Sequence, residues 1–361
     1  MKENEKQLFK ALCKFKENSV DESLLDFATP AVLGNLFFNR MQGVAYDVLR
    51  KNNFLGKVNR EFRNSLGAAY EQNIQKNHSF RKCIMMLSEI LSPCNCKVAM
   101  LKGAYLCSHY PDGYRTSKDV DLLVLPKDVT TVGNLLTSAG FVQGNIRNGE
   151  FIPATRREII ESKMMRGETV PYIKEVNLPF MRFFEVDINF SLDYKNGNGD
   201  VLSDMLSGVC IKNEKELPIP TLGDTDFFLH LCAHLYKEAT TLPWIEMHRD
   251  MTLYKYCDIY MLLSEMSNDQ IQRVFNRAKE LEMEKICAYT ILETIGLFDM
   301  ENTFAHQKAT EAITGEPDFC LKVISPKDKK MLIYQTADVS ERFFMESRVN
   351  DLKEVESDEK A

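Results

Sequence analysis

Asp119 and Asp121 stand two residues apart in an apolar run that reads Asp119-Val120-Asp121-Leu122-Leu123-Val124. Side chains alternate along a strand, so the two carboxylates share one face while Val120 and Leu122 take the other. Adjacent carboxylates repel, and burial raises that cost unless positive charge lies between them. A divalent cation answers this most simply, and Mg²⁺ is ordinarily held by one or two carboxylates with phosphate oxygens and water. Upstream, Val98-Ala99-Met100-Leu101 reads as part of a buried strand over 97–101 that turns at Lys102-Gly103 into a short helix over 104–110. Gly103 would let backbone approach a ligand closely, and amides at a helix start face an anion. Lys102 can add a point charge and Arg115 a forked donor. Ser117 stands between Arg115 and the aspartates. These are the parts of a site that handles a phosphate beside a metal ion.

An isolated Asp-x-Asp is common, and a glycine after a strand commoner still. The combination of Lys-Gly, a short helix, Arg115-x-Ser117-x-Asp119-x-Asp121 and an apolar strand is much rarer. It resembles the nucleotidyltransferase superfamily with the polymerase-beta-like core, and within it the bacterial family of uncharacterised nucleotidyltransferases. The residues that carry the resemblance are Leu101-Lys102-Gly103, Tyr110-Pro111, Arg115 and Asp119-Val120-Asp121-Leu122-Leu123-Val124, with weaker similarity through 185–265. The broader superfamily usually has Gly-Ser or Gly-Gly at the turn, where this chain has Gly103-Ala104.

The resemblance implies an α+β fold: a small mixed-sheet core flanked by N-terminal and C-terminal helical regions. It implies a third carboxylate on a strand neighbouring the aspartate pair. In Phe184-Glu185-Val186-Asp187-Ile188-Asn189, alternation puts Glu185, Asp187 and Asn189 on one face. Asp187 matches the family's acid, Glu185 is the alternative, and Asn189 stands where histidine is usual. Without the aspartate pair, a half-exposed antiparallel strand with a polar outer face would explain this run. The implied roles are Asp119, Asp121 and Asp187 as catalytic and metal-binding acids, with Lys102, the Gly103 amide, Arg115 and Ser117 on the triphosphate. The implied cofactor is Mg²⁺ or Mn²⁺ and the co-substrate a nucleoside triphosphate. The reaction moves a nucleoside monophosphate group, ATP-derived or other, to an acceptor and releases pyrophosphate. Two alternatives stand beside it. RNA-directed nucleotidyltransferase toxins, which act on tRNA ends, carry a similar Lys-Gly-Gly and Arg-x-Ser-x-Asp-x-Asp. A non-catalytic nucleotide-binding or interaction module would tolerate Ala104 in place of serine.

Elements of the chain must bring these residues together. The 361 residues can bury a sizeable core. Lys and Arg number 45 against 52 Asp and Glu, a net charge of -7, which favours a small-molecule, peptide or protein acceptor over nucleic acid. No apolar run approaches a membrane span and the charged start is no signal peptide, so no membrane partner and a cytoplasmic location are expected. The ten cysteines lack zinc spacing; Cys94 and Cys96 are the one close pair, and reduced thiols are expected. Residues 1–95 read as helical, 96–216 as the core with an insertion near 145–182, 217–345 as a helical domain entered through a linker at 217–223, and 346–361 as a charged, disordered tail. Asn196-Gly197-Asn198-Gly199 reads as a turn. Basic residues over 156–182 fit a mixed-charge face better than a rim for a polyanion. His230 and His234 lie four apart on one helix, but Leu231 replaces the base of a His-Glu-x-x-His motif, and Glu238 is the one further ligand in line. Asp258, in an apolar helix, either pairs internally or reaches the acceptor pocket.

Overall fold

In the computed structural model, which describes residues 1–17, 19–192 and 199–355, alternation at 119–124 and 183–190 becomes two neighbouring strands. The protein is a mixed α/β fold with helices flanking a mixed sheet. The chain divides into two compact units, Ser65–Phe227 and the pairing of Met1–Asn64 with Phe228–Ala361.

The first unit holds a six-stranded sheet. Its strands are β1 (Ala99–Met100), β2 (Asp119–Leu123), β3 (Val142–Arg147), β4 (Glu150–Pro153), β5 (Tyr172–Leu178) and β6 (Met181–Asn189), in the order β1-β2-β6-β5-β3-β4. β2 and β6 run parallel, and the other neighbours are antiparallel. Val120, Leu122, Phe184, Val186 and Ile188 are wholly buried and pack with Phe80, Ile84 and Leu87 of the long helix Arg60–Leu91 and with Val132 and Leu136 of the helix Val129–Ser138. Burying so many branched and aromatic side chains is the main force holding this sheet to its helices. The stretch read as an insertion supplies an interior strand: β5 lies inside the sheet, with Tyr172 and Ile173 buried. The mixed-charge face is as expected, with Arg182 paired to Glu150 and Glu175 and Arg157 paired to Glu161.

Residues 217–223 are not a linker. β7 (Cys210–Glu214) and β8 (Leu217–Thr221) form an antiparallel hairpin. Leu217 and Ile219 point into the core while Pro218 and Pro220 take the opposite side, an alternation in which proline is tolerated on a two-stranded edge. The expectation of fully reduced cysteines is also corrected. Cys94 and Cys96 are joined as a disulfide between the long helix and β1, with Cα atoms 5.3 Å apart. One intervening residue is too few for zinc but lets sulfur reach sulfur.

The second unit is helical with one addition. β9 (Lys322–Ser325), β10 (Lys330–Tyr334) and β11 (Leu352–Glu354) form a three-stranded antiparallel sheet, so the region 217–345 is not all helical. The tail is corrected too. Arg348 is buried, and its guanidinium donates to Asp250 at 2.6 and 2.7 Å, which anchors the segment that continues into β11. Charge in a sequence suggests solvent, but a charge with a buried partner does not need it. Residues 356–361, and 196–198 of the turn expected at 196–199, lie outside the described residues, and Gly199 begins a helix that runs to Ser207. No helix among the described residues is long and apolar enough to cross a membrane.

Candidate active site

Parallel pairing of β2 and β6 sets Asp119 opposite Glu185 and Asp121 opposite Asp187. Residues opposite each other in a ladder point to the same face, and neighbouring strands lie about 4.8 Å apart. Asp119, Asp121, Glu185, Asp187 and Asn189 therefore form one polar surface, on the side of the sheet away from Val120 and Val186. Asn189 donates from Nδ2 to Asp121 Oδ1 at 3.3 Å, so it ties the two strands at the position where the resembled family carries histidine.

The Lys-Gly turn arrives beside these acids. Leu101 donates its amide to the Asp121 carbonyl at 2.8 Å, which holds the end of β1 to β2. Lys102 then has φ +43°, a conformation rare outside glycine, and its Nζ lies 3.3 Å from Asp121 Oδ2. Gly103 opens the helix Gly103–His109. The lack of a side chain here also matters for packing inside the turn. The space a side chain would fill is taken by Ser117, whose Oγ lies 2.7 Å from the position of an added Cβ. Ser117 in turn donates to Asp119 Oδ1 at 2.6 Å. Gly103 thus makes room for the hydroxyl that orients Asp119. Ala104 is fully buried in the apolar core, where a serine hydroxyl would face apolar neighbours. Half-buried Arg115 donates from Nη1 to the Thr116 carbonyl at 2.7 Å.

Charge is distributed unevenly across this surface. Burial works against the Asp119 carboxylate, yet the Ser117 hydroxyl and the charges of Lys118, Lys102 and Arg115 outweigh it and hold the carboxyl below its ordinary value. Asp187 is the opposite case. Burial, then the negative charges of Asp121, Asp119, Glu168 and Glu185, push it well above the ordinary carboxylate range. Glu185 receives Lys118 at 2.6 Å. Glu168, which no sequence pattern marked, reaches the surface because it bridges Asn189 in an antiparallel pair.

Among the described residues no three His, Cys, Asp or Glu side chains are drawn together as a ready cation-binding group. The donor chemistry nevertheless fits a hard divalent cation. Asp119, Asp121 and Asp187 offer oxygen donors from adjacent strands, and the crowding of negative charge on Asp187 is of the kind a cation relieves. Lys102 supplies positive charge at Asp121 in this state.

The remaining candidates lie in the second unit. His234 Nε2 is 3.6 Å from Glu238 Oε1, and Glu238 also pairs with Lys255, so that carboxylate is engaged in a protein network. Asp258 is buried on the helix Leu253–Glu265. Sequence reading found no chemistry in the long helix, yet Asn73 and Asn77 are buried there and bond to the loop that carries Arg115 and Ser117. The available signal was two asparagines four apart in a stripe that is otherwise apolar.

A family model described as uncharacterised nucleotidyltransferase matches residues 30–298. No curated protein matches the chain. Among solved structures, an antigenic nucleotidyltransferase-like protein from Paracoccidioides brasiliensis aligns over 69% of this chain and 95% of its own, at 14% identity and a TM-score of 0.33. That likeness is too distant to carry weight.

Proposed function

This chain belongs to the uncharacterised nucleotidyltransferase family, and from that premise we propose that it transfers a nucleoside monophosphate group from a nucleoside triphosphate to an acceptor. The observation that supports this most is the in-register pairing of Asp121 with Asp187, with Asp119 beside them on the same face. A bound pair of Mg²⁺ or Mn²⁺ ions would supply neutralisation of the triphosphate and a more acidic acceptor hydroxyl or amine. Asp119, Asp121 and Asp187 would hold those ions. Ser117 keeps the Asp119 carboxylate aimed, and Lys102 and Arg115 would take the β- and γ-phosphate oxygens. The acceptor oxygen or nitrogen attacks the α-phosphorus, the bond to the bridging oxygen breaks, and pyrophosphate leaves with that electron pair. Asp187, placed beside the attacking group, would assist removal of the proton the acceptor gives up. Catalysis rests on positioning and charge neutralisation. The net charge of -7 supports a small-molecule, peptide or protein acceptor over a nucleic acid.

A second reading, a nucleotide-binding module without turnover, is favoured by one feature: Lys102 already occupies a carboxylate oxygen of Asp121. One experiment separates the two. The protein is incubated with each of the four ribonucleoside triphosphates, Mg²⁺ or Mn²⁺ and a cell extract, with Asp119→Asn/Asp121→Asn as control. Pyrophosphate release that the control loses supports transfer, and the labelled product identifies the acceptor, tRNA included. Nucleotide binding without release supports the module. Equal release by native and control protein with all four nucleotides overturns the enzyme reading.

A further inference from the structure

We propose that Asn77, with Asn73, is a positioning residue: from the long helix it sets the loop over 110–118 and thereby the grip of Arg115 on the triphosphate and of Ser117 on Asp119. This rests on the nucleotidyl-transfer reading for its ligand, but not for its geometry.

Asn77 is 1% exposed. Its Oδ1 accepts the Gly113 amide at 2.9 Å and its Nδ2 donates to the Arg115 carbonyl at 2.7 Å. Asn73 Nδ2 donates to the Gly113 carbonyl at 3.0 Å. Loop backbone that has no strand partner is therefore satisfied by two side chains of one helix. The contact continues along the flank of the helix next to its apolar stripe. Tyr70 lays its ring where a side chain at Gly113 would stand, and Gly113 has φ +88°, so only glycine suits that position. Arg81 clamps Asp112 with two bonds of 2.9 and 3.0 Å. Tyr70, Asn73, Asn77 and Arg81 are spaced three and four apart and lie on one face. Two residues beyond Arg115, Ser117 makes its bond to Asp119.

Simple packing does not account for this. Asparagine is a poor helix former, and a buried amide is costly unless its donors and acceptors are met. Further along the helix the core positions Phe80, Cys83, Ile84 and Leu87 are apolar. The two asparagines are spent on loop backbone, which fixes where the chain runs rather than which residues it carries.

The test compares Asn77→Ala, which loses both bonds, with Asn77→Asp, which has the same shape and keeps an acceptor for the Gly113 amide. Ser79→Ala is the control, since Ser79 Oγ bonds the Pro179 carbonyl at 2.8 Å from the same helix without touching the loop. Amide exchange over 112–118 is measured without nucleotide, and affinity for each ribonucleoside triphosphate with Mg²⁺ by calorimetry. Two bonds of ordinary strength correspond to roughly tenfold to thirtyfold. Asn77→Ala should speed exchange in the loop and weaken nucleotide affinity by about that factor, raising KM more than it lowers kcat. Asn77→Asp should fall between, and Ser79→Ala should lose stability with neither change. Native protection of 112–118 in folded Asn77→Ala protein, or unchanged affinity despite faster exchange, would overturn the proposal. If the native protein binds none of the four nucleotides, the transfer reading fails, while loop exchange still decides whether Asn77 holds the chain in place.

Discussion

Gly103→Ala tests how tightly the turn and the Asp119 strand are coupled. The new Cβ would stand 2.7 Å from Ser117 Oγ and 2.9 Å from Ser117 Cβ. Ordinary carbon contacts lie near ~3.5–4.0 Å, so Ser117 must retreat by roughly 1 Å. Overpacking of this kind costs about 1–3 kcal/mol. The retreat also stretches the 2.6 Å bond to Asp119 beyond hydrogen-bond range, and a bond to a charged group contributes about 1.5–3 kcal/mol. Alanine returns about 1 kcal/mol through helix propensity. The net expectation is a loss of about 3 kcal/mol in the native background. With Ser117→Gly already present there is neither clash nor bond left to lose, so the same change should stabilise by about 1 kcal/mol through helix propensity alone. The coupling in the double-mutant cycle is then about 4 kcal/mol. Trp244, the one tryptophan, lies outside Ser65–Phe227, so its fluorescence does not report directly on this unit. Amide exchange in β2 and β6 under native conditions is the suitable assay. Additive costs, or Gly103→Ala protein at least as stable as native, would refute the close packing of Ser117 on the turn.

Three further outcomes follow from particular contacts. Burial opposes the Asp112 carboxylate, but Arg81 and Lys215 outweigh it and hold the carboxyl below its ordinary value. The stabilisation is present above that ordinary value of 3.8 and lost as pH falls through the lower folded value. Asp112→Asn should therefore cost about 1–3 kcal/mol at neutral pH, with the gap to native protein closing in urea titrations below about pH 4. Lys102→Met removes the cation at Asp121, so nucleotide-free protein should bind Mn²⁺ more tightly by electron paramagnetic resonance titration; unchanged affinity would mean that Lys102 does not compete for that carboxylate. Arg348→Ala strands the Asp250 carboxylate, which is 0% exposed. It should cost about 3–5 kcal/mol, read from Trp244 fluorescence in the same unit, and a loss under 1 kcal/mol would contradict a buried pair.

Local pattern determined a good deal by itself. Alternation assigned Asp119 and Asp121 to one strand face and Glu185, Asp187 and Asn189 to another, because a strand's side-chain period is set by backbone geometry alone. Helical spacing marked the long helix that ends at Leu91, and the residues around Lys102-Gly103 and Asp119-Val120-Asp121 carried the family resemblance. Tertiary structure decided what those faces meet. Register between β2 and β6 makes Asp121 and Asp187 neighbours across 65 residues of intervening chain, and a slip of one residue would have turned Asp187 into the core. It turned 172–178 into an interior strand, set prolines on the outer side of β8, and gave Arg348 a buried partner where charge alone suggested a solvated tail. It also revealed why Gly103 is glycine and why two asparagines interrupt an apolar stripe: each answers to a side chain or loop that is distant in sequence. Periodicity records how a segment divides between core and solvent, whereas the partner across the gap depends on how the whole chain packs.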